Sequence, residues 1–144
     1  MKYLLDTNVV SELMKAHPEP VVANWVLRID EMEVAVSVVA FMEIRQGIEL
    51  MPRGRRRQRL ETWLVDEAPK RFAGRVLGID HQTAEVCGTM LATNRLNANV
   101  RRILDIWLAA IAVQHGLTLV TRNQKDFQRL GVKLINPWTE EATS

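Results

Sequence analysis

Cysteine is almost missing from this 144-residue chain: Cys87 stands alone, so no intrachain disulfide can form, and a reducing, cytoplasmic setting fits. Cys87 lies in an apolar helical pattern, where a lone thiol is a small core residue rather than a nucleophile. No apolar run approaches the roughly 20 residues that a membrane-spanning helix needs, which predicts no membrane partner. The N-terminus carries one lysine and a short apolar stretch that runs at once into Asp6, which predicts no signal peptide. There is no internal repeat, no low-complexity segment and no linker. The three histidines, His17, His81 and His115, are scattered and pair with no cysteine, so they read as surface or capping residues and not as ligands.

What is present is the balance of an ordinary globular protein, 47% hydrophobic and 25% charged, in a chain long enough for a sizeable core. The expected organisation is a single domain over residues 1–138 followed by a disordered tail, 139–144. The net charge is only +2, yet arginines cluster at Arg53, Arg55, Arg56, Arg57 and Arg59, and again at Arg101 and Arg102. Such a local basic surface points to a polyanionic partner; the other reading is a solvated helix face.

Apolar spacing predicts short strands at 2–5, 34–36, 75–77, 117–120 and 132–135. Helices are predicted at about 9–14, 20–29 and 38–50, from the arginine cluster through Leu60, Trp63 and Leu64, at 81–96, from about Ile103 to His115, and at 126–130. Ser37 is a plausible N-cap and Gly116 a natural C-terminal cap. Trp25, Trp63 and Trp107 recur with aliphatic residues at helical spacing, the pattern of core or dimer packing. Short, wholly apolar strands alternating with helices predict an α/β fold: a parallel sheet covered on both faces. Ligands of such sheets bind beyond the carboxyl ends of the strands. Strand after strand here ends in polar residues: Asp6, then Ser37, then Thr121-Arg122-Asn123.

Three acids sit in apolar surroundings near that edge. Asp6 follows Tyr3-Leu4-Leu5, Glu43 lies two turns into the helix after the second strand, and Asp105 lies in RRILDIWLAAIAVQHG. Singly, each has a structural reading. Asp6 could be a helix cap, Glu43 could pair with an arginine, and Asp105 could favour a helix N-terminus. Together they need a counter-charge, because two carboxylates ~5 Å apart repel by roughly 3 kcal/mol at an effective dielectric near 20. No lysine lies in the segments around Glu43 or Asp105, and an all-oxygen ligand set of this charge suits Mg2+ or Mn2+.

These segments resemble the motifs of PIN-domain ribonucleases of the VapC toxin type, found in bacterial toxin–antitoxin pairs. LLDTNVVSEL is similar to the family's opening motif, AVSVVAFMEIRQGIEL to its second and DIWLAAIAVQHGLTLVTRN to its third. GRRRQRLETWL and NPW resemble the FitB-like branch. The resemblance implies a three-layer α/β/α fold with a short, mostly parallel sheet of four to five strands. It implies an endoribonuclease toxin that uses Mg2+ or Mn2+ and leaves 5′ phosphates. Its metal-binding acids would be Asp6, Glu43 and Asp105, and Thr7, Asn8, Thr121 and Asn123 would hold those acids or a water. Thr7 and Asn8 could equally cap the first helix. The expected partners are RNA, a small antitoxin protein and a second copy of the chain, with Arg53, Arg55, Arg56 and Arg57 as contacts for RNA or antitoxin.

Two departures stand out. Asn123 occupies the turn where the family often has a fourth acid, and the nearest acid is Asp126, which either joins the catalytic set or caps its short helix. Ile106 follows Asp105 where the family has something small, and would crowd the metal site. One rival reading is a non-catalytic PIN fold that grips RNA or a partner. Another is a phosphotransferase of the haloacid dehalogenase type, which wants a second acid where Asn8 stands.

Overall fold

The computed structural model describes residues 1–94 and 99–139. The expected end of the helix at 96 and the tail beyond residue 139 lie outside the described residues. Strand β1 (Tyr3–Leu5) leads through helices α1 (Thr7–Leu13) and α2 (Pro20–Leu27) to β2 (Val34–Ser37). Helix α3 (Val38–Leu50) and α4 (Arg55–Thr62) follow, and α4 continues through a wide π turn, Trp63–Glu67, into α5 (Ala68–Arg71). Then come β3 (Val76–Leu77), α6 (His81–Asn94), α7 (Val100–His115), β4 (Thr118–Val120) and β5 (Leu134–Ile135). Among the described residues, no helix is long and apolar enough to cross a membrane.

The five strands pair in the order β3-β2-β1-β4-β5, all parallel. Alternate side chains leave opposite faces of a strand, and here both faces are covered. Leu5, Val34, Val36 and Val120 pack with Val9, Val22 and Trp25 of α1 and α2, and with Ile44 and Ile48 of α3. Leu4, Ala35 and Leu119 pack against Cys87 and Met90 of α6 and the apolar run of α7. This is the expected three-layer α/β/α architecture, and the reason the strands read as unbroken apolar runs. Each fully buried Leu or Val contributes on the order of 1.5–3 kcal/mol.

Helix α7 is the most deeply placed: Ile106 and Leu108 through Ala112 are each no more than 1% exposed. It begins at Val100, not near Ile103, because the Asn99 side chain accepts the Arg102 amide as an N-cap. Gly116 ends it at φ 66°, in the left-handed region that favours glycine. The expected helix 126–130 is instead a 3-10 turn, Gln124–Asp126, followed by another i→i+3 bond from Leu130 to Phe127. The three-residue period puts Phe127 and Leu130 on one side, and both are buried.

The edge strand β3 is anchored by Arg75, which is buried, although the pattern makes it part of a strand. Its Nη1 donates to the carbonyls of Glu31 and Val34, and its Nη2 to that of Arg71 at 2.6 Å. Its guanidinium lies 5.5 Å from the Phe72 ring centroid. Arg75→Ala would strand three carbonyls and is expected to cost about 3 kcal/mol in urea unfolding. Arg71→Ala removes an exposed ion pair to Glu31 and a guanidinium 5.8 Å from the Phe72 ring centroid but no carbonyl contact, and should cost about 1 kcal/mol. Equal losses would mean that Arg75 is not the anchor.

Candidate active site

Register decides which residues meet at the carboxyl edge. Leu5 lies opposite Val120, and Leu4 opposite Ala35, so Asp6 comes level with Thr121 one residue past the first pair and with Ser37 two residues past the second. The chain runs from β1 out to β2 and β3 and then returns to β4 on the other side of β1, so the order reverses between β1 and β4. That reversal is where open α/β sheets form a crevice, and Asp6 and Thr121 flank it.

Asp6 is both a cap and a member of the cluster. It is the N-cap of α1, with Oδ1 accepting the Thr7 amide at 2.7 Å. Its Oδ2 accepts from Thr121 Oγ1 at 2.7 Å and from Asn8 Nδ2 at 3.3 Å. Thr7 and Asn8 are therefore the first residues of the helix and not its caps. Thr7 Oγ1 donates to Glu43 Oε1 at 2.8 Å, which ties α1 to α3. Asn8 Oδ1 accepts the Arg122 amide at 3.4 Å, and Thr121 Oγ1 accepts the Asn123 amide at 3.0 Å.

Glu43 is carried by α3, whose start is capped by Ser37 Oγ accepting the Ala40 amide. It makes no ion pair among the described residues; Arg45 pairs with Glu49 and Glu61 instead. Asp105 lies in the second turn of α7, where the pull of the helix N-terminus has largely decayed. Ile106 does not crowd it. One residue on is a turn of about 100°, and Ile106 points into the core at 0% exposure. Asp126 closes its 3-10 turn instead of starting it, so it caps nothing. Its carbonyl accepts from Arg102 Nη1 at 2.6 Å, which fastens that turn to α7.

Asp6, Glu43, Asp105 and Asp126 line one cavity of about 240 Å3, together with Thr7, Asn8, Ser11, Leu104 and Asn123. Ser11 went unnoticed in the sequence, although it stands one helical turn beyond Thr7 on the same face. Among the described residues, no three His, Cys, Asp or Glu side chains form a ready metal cage. The carboxylates share the cavity walls without closing on its centre. A second cavity of about 200 Å3, bounded by Val10, Leu13, Val26 and Trp63, is largely apolar; its charged lining is Glu31 and Arg71, which pair with each other.

The electrostatics are those of buried carboxylates with like charges nearby. Burial raises Asp6 above the usual carboxylate range; the bonds from Thr121 and Thr7 oppose this, and the charges of Glu43 and Asp126 add to it. Asp105 is pushed up to about 6, first by burial, then by Asp126 and Asp6, with Arg102 pulling the other way and Glu43 adding a little. The basic cluster divides. Arg53, Arg55 and Arg56 are exposed, whereas Arg57 is held by the Met51 carbonyl and an ion pair with Glu49 at 3.0 Å. The Arg101 side chain lies outside the described residues.

A family model for the PIN domain matches residues 3–133. The chain belongs to the PIN-domain family. Over 135 residues it is 35% identical to the VapC ribonuclease Y4jK of Sinorhizobium fredii, covering 94% of this chain and 96% of that one. It is 31% identical to the toxin FitB of Neisseria gonorrhoeae, with 94% and 97% covered. The crystal structure of FitAcB from Neisseria gonorrhoeae superposes with a TM-score of 0.84 at 30% identity, over 96% of this chain and 99% of the other. This PIN domain is therefore of the VapC and FitB toxin type, which sets the haloacid dehalogenase reading aside.

The raised Asp105 has a consequence for stability. Unfolded, it loses its proton near pH 4; folded and metal-free, it keeps it to about 6. Between those values the folded chain binds the extra proton, so metal-free stability should fall as pH rises through the window. Asp6, also raised, acts in the same direction. Asp105→Asn should flatten melting temperature against pH between about 4 and 6, and should melt above the wild type at neutral pH in EDTA. An unchanged slope in the variant would place the raised carboxyl elsewhere.

Proposed function

We propose that this PIN domain is a divalent-metal-dependent endoribonuclease, the toxin of a toxin–antitoxin pair, with an antitoxin protein and a second copy of the chain as partners. The observation that carries the reading is the gathering of Asp6, Glu43, Asp105 and Asp126 around one cavity at the sheet's carboxyl edge. The ribonuclease and toxin names of its relatives support it.

The donor set fits Mg2+ or Mn2+: among the described residues, the polar side chains on the cavity wall all offer oxygen, Asn8 and Asn123 adding amide nitrogens, and no lysine or arginine lines it. Asp6, Glu43 and Asp105 would hold the ion, with Asp126 or the Asn123 carbonyl completing the set. A bound ion supplies Lewis-acid stabilisation of the phosphodiester and a more acidic water. The chain's own residues fix the donors. Thr121, Asn8 and the Thr7 amide fasten Asp6 on both oxygens, while Thr7 Oγ1 holds one oxygen of Glu43 and leaves the other free to bind. Asp105, which keeps its proton to about 6 without a cation, must release it on binding, so metal affinity should weaken as pH falls below that value. Arg53, Arg55 and Arg56 lie exposed on the flank, open to RNA or the antitoxin; Arg57, already paired, is the poorest contact of the four.

Asp6→Asn, Glu43→Gln and Asp105→Asn should each remove nearly all metal-dependent RNA cleavage in a folded protein. The acids act as one unit, so double variants should be little worse than single ones. Mn2+ at ~100 times its dissociation constant should add about 2.7 kcal/mol, a melting rise on the order of 5–10 °C, most of which Asp105→Asn should lose. Near-normal cleavage by two of the single variants would misassign the site. Tight RNA binding by the wild type without cleavage would favour the non-catalytic binding module.

A further inference from the structure

A groove of about 230 Å3 adjoins the carboxylate cavity and shares Thr7, Ser11 and Glu43 with it. It runs between α1, α3 and α4. Its floor is apolar, with Ile48, Met51 and Leu60, and its far end carries Arg56 and Arg59. Among the described residues neither arginine has a carboxylate in ion-pairing reach, although Arg45 and Arg57 nearby are both paired. Two cations left without partners beside a groove that opens on a cluster of acids form a charge pattern that the fold itself does not use.

Gly47 adds an independent observation. It sits inside α3 and lines the groove. A glycine within a helix costs stability relative to alanine, and such a glycine is normally explained by a close neighbour. Here a Cβ built on Gly47 would meet nothing within 4 Å, and its φ is not in the left-handed region. Neither packing nor backbone conformation calls for glycine, and its effect is to keep the groove open.

We infer that this groove is the track of a single RNA strand on one side of the cleaved bond, with Arg56 and Arg59 on its phosphates and a nucleotide over Gly47. The inference rests on the carboxylate cavity being the cleavage site. A polyanion is the occupant that suits both ends: its phosphates pair with the arginines, and the next phosphate along reaches the acids together with their cation. An acidic peptide would meet the acids with no cation to match them, and a basic one would be repelled at Arg56 and Arg59. Among the described residues the groove holds no aromatic side chain, so bases gain little stacking and the track should read phosphate with little sequence preference.

The test is fluorescence anisotropy of a short labelled oligoribonucleotide with the full chain in EDTA, so that the strand is not cut, from about 50 to 200 mM salt. Arg56→Gln/Arg59→Gln should lower the slope of log affinity against log salt by about 1.4, two contacts at about 0.7 each. The charge-matched control, Arg129→Gln/Lys133→Gln, exposed and lining neither the groove nor the carboxylate cavity, should lower it by less than half as much. Gly47→Leu should melt higher than the wild type, bind RNA at least tenfold more weakly and keep its salt slope. Equal slopes for the groove pair and the control pair, or wild-type RNA affinity in a folded Gly47→Leu, would overturn the inference and leave the groove to a protein partner. Groove-dependent binding without cleavage in Mn2+ would count against the ribonuclease reading alone; cleavage indifferent to all three variants would count against the groove alone.

Discussion

The hydrogen bond from Thr121 Oγ1 to Asp6 Oδ2 joins residues 115 positions apart and is buried. It exists only because β1 and β4 are neighbours in parallel register, with Leu5 opposite Val120. A buried carboxylate without partners is costly, and Asp6 is 92% removed from solvent. The Thr121 hydroxyl, the Thr7 amide and the Asn8 side chain make that burial tolerable. The rest of the cavity is arranged around the residue so fixed: Thr7 reaches Glu43, Asn8 reaches the Arg122 amide, and Thr121 orders the turn that carries Asn123.

Rigidity and charge pull in opposite directions here. The core on both sheet faces sets the positions of α1, α3 and α7, and the cavity takes Asp6 from the cap of α1, Glu43 from α3 and Asp105 from α7. Packing thus holds together groups whose charges repel. The protein compensates only partly: Arg102 acts on Asp105 and reaches the Asp126 carbonyl, but among the described residues no cationic side chain lines the cavity. Burial first, and the remaining repulsion after it, raise the proton affinity of Asp6 and Asp105, and a divalent cation is the ligand that offsets both most directly.

The flank of the site shows how neighbours decide what a charge can do. Five arginines fall within seven positions of sequence. Arg57 turns toward Glu49 and the Met51 carbonyl and serves to fasten α4 to α3, while Arg56 and Arg59 look into the groove. A charge already matched inside the fold offers little to a partner, and an unmatched one offers a full contact.

Much of the fold was legible in the sequence for simple reasons. Short apolar runs that alternate with helical spacing require a parallel sheet covered on both faces, and polar residues that close those runs mark its carboxyl edge. Asp6 was readable as a cluster member because it ends such a run, and Gly116 as a cap because only glycine takes that backbone conformation cheaply. Other features depended on what each residue meets across the chain. Local pattern could not show that Asp126 closes a turn on the cavity wall instead of capping a helix, because that turn is set by Phe127 and Leu130 seeking the core. Nor could it show that Ile106 points away from the acids, that Arg57 is spent on Glu49, or that Ser11 and Gly47 face open space. Strand register and helix packing decide these, since they fix direction in space, whereas the sequence alone fixes only periodicity along the chain.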